Sequence, residues 1–233
     1  MSYLTLKNVG KEFIVGDIKI EALKNVSFDL DNGEFVIILG PSGAGNTTLL
    51  NILGGMDSLS YGEISVDGRS LNSLNRKGLT KYRRDDVGFV FQFYNLMPNL
   101  TALENVELAT EICDDSLSPM EILKLVGLEE RINNFPSQLS GGEQQRVSIA
   151  RSIAKNPKLL LCDEPTGALD YVTGKKILKL LYDLCKTHNK LVIVVTHNQA
   201  LKGMADKVLH IKNGTIENVE INENPVSIEE IEW

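Results

Sequence analysis

Gly40-Pro41-Ser42-Gly43-Ala44-Gly45-Asn46-Thr47-Thr48 is the stretch on which the reading of this chain turns. It follows an apolar run, Phe35-Val36-Ile37-Ile38-Leu39, and leads into Leu49-Leu50-Asn51-Ile52-Leu53. The pattern predicts a buried strand, a glycine-rich turn and a helix whose first residues carry hydroxyls. Successive glycines let the backbone curl, so that several N–H groups point inward and hold phosphate oxygens at a helix N-terminus. Thr47 takes the place of the Mg²⁺-ligating hydroxyl in the loop pattern G-x-x-x-x-G-K-[ST]. Position 46, a lysine in that pattern, is asparagine here. Glycine-rich strand-to-helix turns also occur in folds that bind no phosphate, so the meaning of this one depends on what lies downstream.

Working outward, 233 residues suit one large α/β domain or a core with a smaller insert. The net charge of −7 argues against a main role on the nucleic-acid backbone, which needs clustered Lys and Arg. The basic stretch Arg76-Lys77…Lys81-Tyr82-Arg83-Arg84 runs straight into Asp85-Asp86 and reads as a solvated helix face. Cys113, Cys162 and Cys185 have no C-x-x-C spacing, and a reducing cytoplasmic compartment is expected. The N-terminus has no signal-type apolar segment, and no run approaches the roughly 20 apolar residues of a membrane span. If the protein works at a membrane, something else must hold it there.

Along the chain, Tyr3–Val9 and Ile18–Leu30 alternate as strands with one wet face, with 11–17 between them as a loop or hairpin end holding Phe13. Gly62–Gly68 is an alternating strand closed by an Asp-Gly turn. Val87–Phe91 is a further strand, and Gln92 stands just past its end, where open α/β sheets bind ligands. Residues 93–157 read as helical, with capping patterns at Thr101, at Ser118-Pro119-Met120-Glu121 and at Ser140-Gly141-Gly142-Glu143. A capped helix explains Ser140 and Glu143. Two glycines in its first turn cost stability and are better explained by something approaching the backbone. The loop 93–100 carries Tyr94, Leu96 and Met97 and is expected to form part of a groove for a partner helix. Leu159–Cys162 is a buried strand ending in Asp163-Glu164, acids that are costly there unless a cation or water uses them. Leu191–Val195 is another, with His197 just beyond it. An Asn-Gly hairpin follows around 213–214, and 220–233 is an acidic tail, expected to be a solvated segment, with a docking role for Trp233 as the alternative.

In this order the motifs resemble those of the nucleotide-binding subunit of ATP-binding cassette (ABC) transporters, over nearly the whole chain. The glycine loop is followed by Gln92, by Leu139-Ser140-Gly141-Gly142-Glu143, by Leu159-Leu160-Leu161-Cys162-Asp163-Glu164, by Ala168-Leu169-Asp170 and by His197. Val87–Gln92 and Asp163–Asp170 are similar to the branch with macrolide exporters, lipoprotein-release systems and antimicrobial-peptide-resistance transporters. The resemblance implies an α/β fold, a P-loop NTPase core with a mainly parallel sheet, an N-terminal antiparallel β subdomain and a helical insert. The implied units are a core at 1–92 and 158–219, a helical signature subdomain at 93–157 and the tail at 220–233.

The roles that follow are those of an ATPase that drives a membrane permease by ATP-dependent dimerisation. The resemblance implies that Phe13 stacks on adenine, and that Ser42, Gly43, Ala44, Gly45, Asn46, Thr47 and Thr48 form the phosphate cradle. It places Thr47, Gln92 and Asp163 around Mg²⁺, directly or through water, Glu164 as general base or polariser of the attacking water, and His197 and Gln92 at the γ-phosphate. Ser140, Gly141 and Gly142 would serve the nucleotide of the other subunit in a head-to-tail homodimer, and Asp170 is counted among the nucleotide-binding residues. The chain would lie peripherally on the cytoplasmic face of the membrane, held by an integral permease. Asn46 is the departure. A shorter, neutral side chain predicts weakened binding and turnover; the alternative is a non-hydrolysing nucleotide-sensing or structural subunit.

Overall fold

The structure, a computed structural model, describes residues 2–232; a docking role for Trp233 therefore lies outside the described residues. Its centre is β3 (Phe35–Leu39), every residue of which is buried. Side chains alternate across a strand, so β3 supplies two cores at once. Phe35, Ile37 and Leu39 face one cluster, with Val147, Ile149, Ile177 and Leu181. Val36 and Ile38 face the other, with Leu49, Leu50, Leu53 and the inner face of the N-terminal sheet. An apolar run with no polar alternation is what a strand covered on both faces requires.

Around β3 lies a six-stranded sheet in the order β10-β9-β3-β8-β7-β6. It comprises β6 (Val87–Val90), β7 (Leu159–Asp163), β8 (Leu191–Thr196), β9 (Lys207–Lys212) and β10 (Thr215–Ile221). Strands β3, β6, β7, β8 and β9 run parallel to one another, and β10 returns antiparallel to β9 across the Asn213-Gly214 turn. A second, antiparallel sheet joins β1 (Leu4–Val15), β2 (Ile18–Leu30), β4 (Tyr61–Val66) and the short β5 (Arg69–Ser70). The expected mainly parallel sheet with an N-terminal antiparallel subdomain is present. One boundary differs: β1 continues through 11–15, and only Gly16-Asp17 turns the hairpin. Phe13 pairs with Ile20 in that ladder, so cross-strand bonding overrides a mixed local pattern.

The helices are α1 (Asn46–Leu53), α2 (Arg76–Asp85), α3 (Ala102–Thr110), α4 (Pro119–Leu125), α5 (Gly141–Ala154) and α6 (Tyr171–Thr187). Helices α3 and α5 begin with reciprocal capping boxes, Thr101 with Glu104 and Ser140 with Glu143. Ser118 caps α4, whose second residue beyond the last turn, Gly127, has φ +70°. Arg151 of α5 reaches the carbonyls of Tyr94 (3.0 Å) and Asn95 (2.7 Å), and Asn105 of α3 bonds both backbone groups of Met97. These contacts fasten 94–97 to the helical layer.

Residues 227–231 pack against the core, where the sequence suggested a solvated segment. Ile228 and Ile231 are buried beside α6, Tyr171 Oη donates to the Ile231 carbonyl at 3.3 Å, and Lys175 Nζ donates to that of Glu229 at 3.1 Å. Two isoleucines among acids were the signal: net charge described the surface of the segment and hid its buried face.

Candidate functional site

The site is a cleft of about 670 Å³ at the carboxyl ends of β3, β6, β7 and β8. Its floor is the loop between β3 and α1. Gly45 there has φ +105°, and a Cβ on it would lie 2.6 Å from the Ala22 carbonyl, so only glycine fits. Gly43, at φ +80°, would project a Cβ into open space, so the cradle is concave and unobstructed. Ala44, by contrast, is buried beneath the loop.

Asn46 opens α1. Its Nδ2 donates to the Gly40 carbonyl at 3.1 Å, and its Oδ1 is buried without a hydrogen-bond partner. The amide is therefore turned back onto the loop that a lysine would reach across. Thr47 Oγ1 donates to Asp163 Oδ2 at 3.0 Å. Asp163 ends β7 and is buried, which pushes its carboxyl above the usual range; the Thr47 hydrogen bond pulls it down and the charge of Glu164 pushes it up again.

Glu164 follows in the left-handed region, φ +48°, which is uncommon for a residue with a Cβ. That turn brings its carboxylate beneath the end of β8. Oε2 accepts from Thr196 Oγ1 (3.2 Å), and Oε1 accepts from the His197 backbone N–H (2.9 Å) and lies 2.6 Å from His197 Nδ1. A carboxylate only accepts, so in this arrangement Nδ1 carries the proton.

Of the residues singled out by sequence, Ser42, Gly43, Gly45, Asn46, Thr47, Thr48, Gln92, Asp163, Glu164 and His197 line this one cleft. Others stand outside it. Phe13 lies on β1, 39% exposed, with the Lys11 ammonium 4.9 Å from its ring. Asp170 caps α6, accepting from Thr173 N–H at 3.0 Å, and hydrogen bonding with the Thr173 side chain, then with its backbone, lowers the Asp170 pKa. Ser140 is committed to its capping box, and the first turn of α5 has neighbours within the chain. A Cβ at Gly141 would lie 2.9 Å from Tyr94 Oη, and one at Gly142 3.3 Å from the Ala168 carbonyl. The approach inferred from these glycines is thus real and already has an intramolecular component. Tyr94 lines the cleft and Leu96 packs partly on the core, so both are half-buried, while Met97 is exposed. Residues missed by sequence reading also line the cleft: Ala22, Phe93, Gln145, Gly167 and Ala168. Gln145, in the helix that follows Ser140, and Ala168, in the Ala168-Leu169-Asp170 stretch, lay beside quoted motifs; Ala22 left no such trace.

A glycine cradle at a helix start fits a polyphosphate, and the convergent Thr47 hydroxyl and Asp163 carboxylate are the hard oxygen donors that Mg²⁺ takes. The cradle's mismatch is the neutral Asn46. Among the described residues lining the cleft there is no Lys or Arg, while Asp163 and Glu164 bring two carboxylates.

A second depression, of about 370 Å³, lies between the core and the helical layer. It is walled by Met56, Phe89, Phe91 and Ile112, with Arg83, Arg151 and Lys155 at its polar side. Burial lowers the pKa values of Arg151 and Lys155.

The ABC transporter family model matches residues 23–167. The chain is 47% identical over 226 residues to the ABC transporter ATP-binding protein MJ0796 of Methanocaldococcus jannaschii, covering 93% of this chain and 96% of that one. A Thermotoga maritima ABC transporter ATP-binding protein is 44% identical over 222 residues, 93% and 94% of the two chains. The chain also spans half the length of a Mycoplasma genitalium ABC transporter ATP-binding protein, 43% identical over 233 residues and matched over 99% of this chain. It superposes with TM-score 0.90 on the dimeric post-hydrolysis structure of MJ0796 bound to ADP and Pi, at 45% identity, covering 95% of this chain and 99% of that one. With the phosphate loop, the paired acids of β7 and the capped α5 arranged around one cleft, the chain belongs to the ABC transporter family as an ATP-binding cassette.

Proposed function

We propose that this chain is the ATP-hydrolysing subunit of an ABC transporter, that it acts as a head-to-tail homodimer beneath a membrane permease, and that Asn46 limits its affinity and turnover. The observation that carries the reading is the convergence at one cleft of the glycine cradle, the Thr47–Asp163 pair and the Glu164–His197 pair. Backbone N–H groups of 43–48 hold the phosphates. Thr47, Asp163 and Gln92 would hold Mg²⁺, which supplies charge neutralisation on the phosphate oxygens. Glu164 is placed by Thr196 and His197 so that its carboxylate can accept the proton of the attacking water. With Nδ1–H given to Glu164, His197 can donate from Nε2 to a phosphate only as the imidazolium. Phe13 is assigned to the adenine. Ser140, Gly141, Gly142 and Asp170, all outside the chain's own cleft, are assigned to the site of the other subunit, which makes a dimer part of the mechanism. The dimeric state of the MJ0796 cassette supports this.

The groove at Phe91 and Ile112 is assigned to a short cytoplasmic helix of the permease. Among the described residues no helix is long and apolar enough to cross a membrane, so a peripheral position on the cytoplasmic face requires such a partner. The transported substrate is selected by that permease.

The test is sedimentation of an Asn46→Lys/Glu164→Gln double variant, in which binding is restored and hydrolysis blocked. Mg-ATP is expected to give a dimer and Mg-ADP a monomer; a monomer in both would refute the mechanism. A second reading, a non-hydrolysing nucleotide-sensing subunit, draws on the absence of a cation from the described cleft lining. It requires that Asn46→Lys leave turnover at background.

A further inference from the structure

Gln145 is 1% exposed, yet neither its Nε2 nor its Oε1 has a hydrogen-bond partner among the described residues. Buried amides are nearly always satisfied, so an orphan of this kind calls for an explanation. Its position provides one. Gln145 is the helical layer's contribution to the cleft wall, alongside Gln92, Phe93, Tyr94, Gly167 and Ala168. On α5 it lies one turn beyond Gly141 and Gly142, so its side chain shares their faces. Gly141 is the point where Tyr94 Oη comes close, and Gly142 is where the Ala168 carbonyl comes close. Gln145 thus sits between two loops: the segment after β6 that carries Gln92, and the turn after Glu164.

Further down the same face the seam is also polar. Ser148 is fully buried with its hydroxyl unpartnered, whereas Ser152 Oγ donates to the Phe89 carbonyl at 2.6 Å. Packing alone does not account for this. An apolar residue of the same volume at position 145 would fill the space without leaving a buried donor and acceptor unpaired.

We infer that Gln145 is a positioning residue, whose amide bridges the 92–94 segment and the Gly167–Ala168 turn when nucleotide occupies the cleft. The chemistry suits a backbone pair. Nε2 donates to a carbonyl, for which Ala168 O is the near candidate, and Oε1 accepts from an N–H of the 92–94 segment. Nucleotide would then fix α5 relative to the core through the chain's own loops, before any second subunit meets Ser140. The inference rests on the cleft being a nucleotide site.

Hydrogen exchange separates the two. Unsubstituted chain, Gln145→Leu and Gln145→Met are compared with and without saturating Mg-ATP, and the two variants are also melted. In the unsubstituted chain, nucleotide is expected to slow exchange at 43–48 and, by about fivefold to tenfold, at 93–95, the worth of one hydrogen bond. In the variants the slowing at 43–48 persists, that at 93–95 falls below about twofold, and the melting temperature is unchanged or higher. Two variants of different shape guard against one failing to fold. Equal protection at 93–95 in all three chains would overturn the inference alone, as would a lowered melting temperature in both variants, the mark of a structural plug. No protection at 43–48 in the unsubstituted chain would overturn the nucleotide site and the inference with it.

Discussion

Replacing Asn46 with lysine is the sharpest perturbation this cleft offers. The asparagine amide makes one bond, to the Gly40 carbonyl at 3.1 Å, and leaves Oδ1 buried and unpaired. Losing that bond costs about 1 kcal/mol, and removing an unsatisfied acceptor returns about 1–3 kcal/mol, so the substitution is expected to be neutral to stabilising for the fold. The larger effect is on ligand. The described cleft wall presents Asp163 and Glu164 with no Lys or Arg to offset them, so a polyphosphate enters against two carboxylates. An ammonium reaching the phosphates adds a charge-assisted hydrogen bond of about 1.5–3 kcal/mol, which is roughly tenfold to a hundredfold in Kd. If the same donor tightens on the transferring phosphoryl, turnover gains about a further 10²–10³. The assay is Mg-ATP titration by fluorescence or calorimetry on both chains, followed by phosphate release at saturation. Equal Kd values, or full turnover with Asn46 in place, would refute the argument that this cleft needs a cation at position 46.

Three other outcomes are expected. Burial raises the folded-state pKa of Asp163, so the unfolded chain loses its proton first; this group's contribution is intact below the usual carboxylate pKa and declines as pH rises through the folded value. In EDTA, Asp163→Asn should therefore raise Tm at neutral pH and by less near pH 4, with no further gain from Mg²⁺; equal gains at both pH values would contradict this. Ile228→Ala and Ile231→Ala, which empty buried sites beside α6, should each cost about 2 kcal/mol and lower Tm by roughly 4–8 °C, whereas an unchanged melting curve would mean the tail carries no load. Ile112→Asp, on the exposed wall of the second depression, should abolish co-purification with a permease and leave ATP affinity unchanged, while Met97→Asp, outside that wall, should retain the permease; the opposite pairing would return the docking surface to the 93–100 loop.

The phosphate loop, the paired acids and the capped helices were legible because each is written in consecutive residues whose chemistry is local. Gly45 must be glycine for its own φ, and Ser140 and Glu143 satisfy each other three residues apart. What sequence could not give is which faces meet. The Ala22 carbonyl closes over Gly45 from a strand more than twenty residues earlier, and no feature of Ala22 announces it. Tyr94 looked like a partner-binding aromatic because nothing nearby in sequence could cover it; folding brings its hydroxyl against Gly141 in the first turn of α5 and leaves the residue half-buried. The same limit applies to Gly141 and Gly142. Read along the chain, they ask for an approaching group and leave its source open, and the fold supplies Tyr94 and Ala168 without filling the N-terminus of the helix, whose Ser140 stays exposed. The two sources are compatible. Glycines that admit the chain's own loops on one face leave the helix end exposed on another.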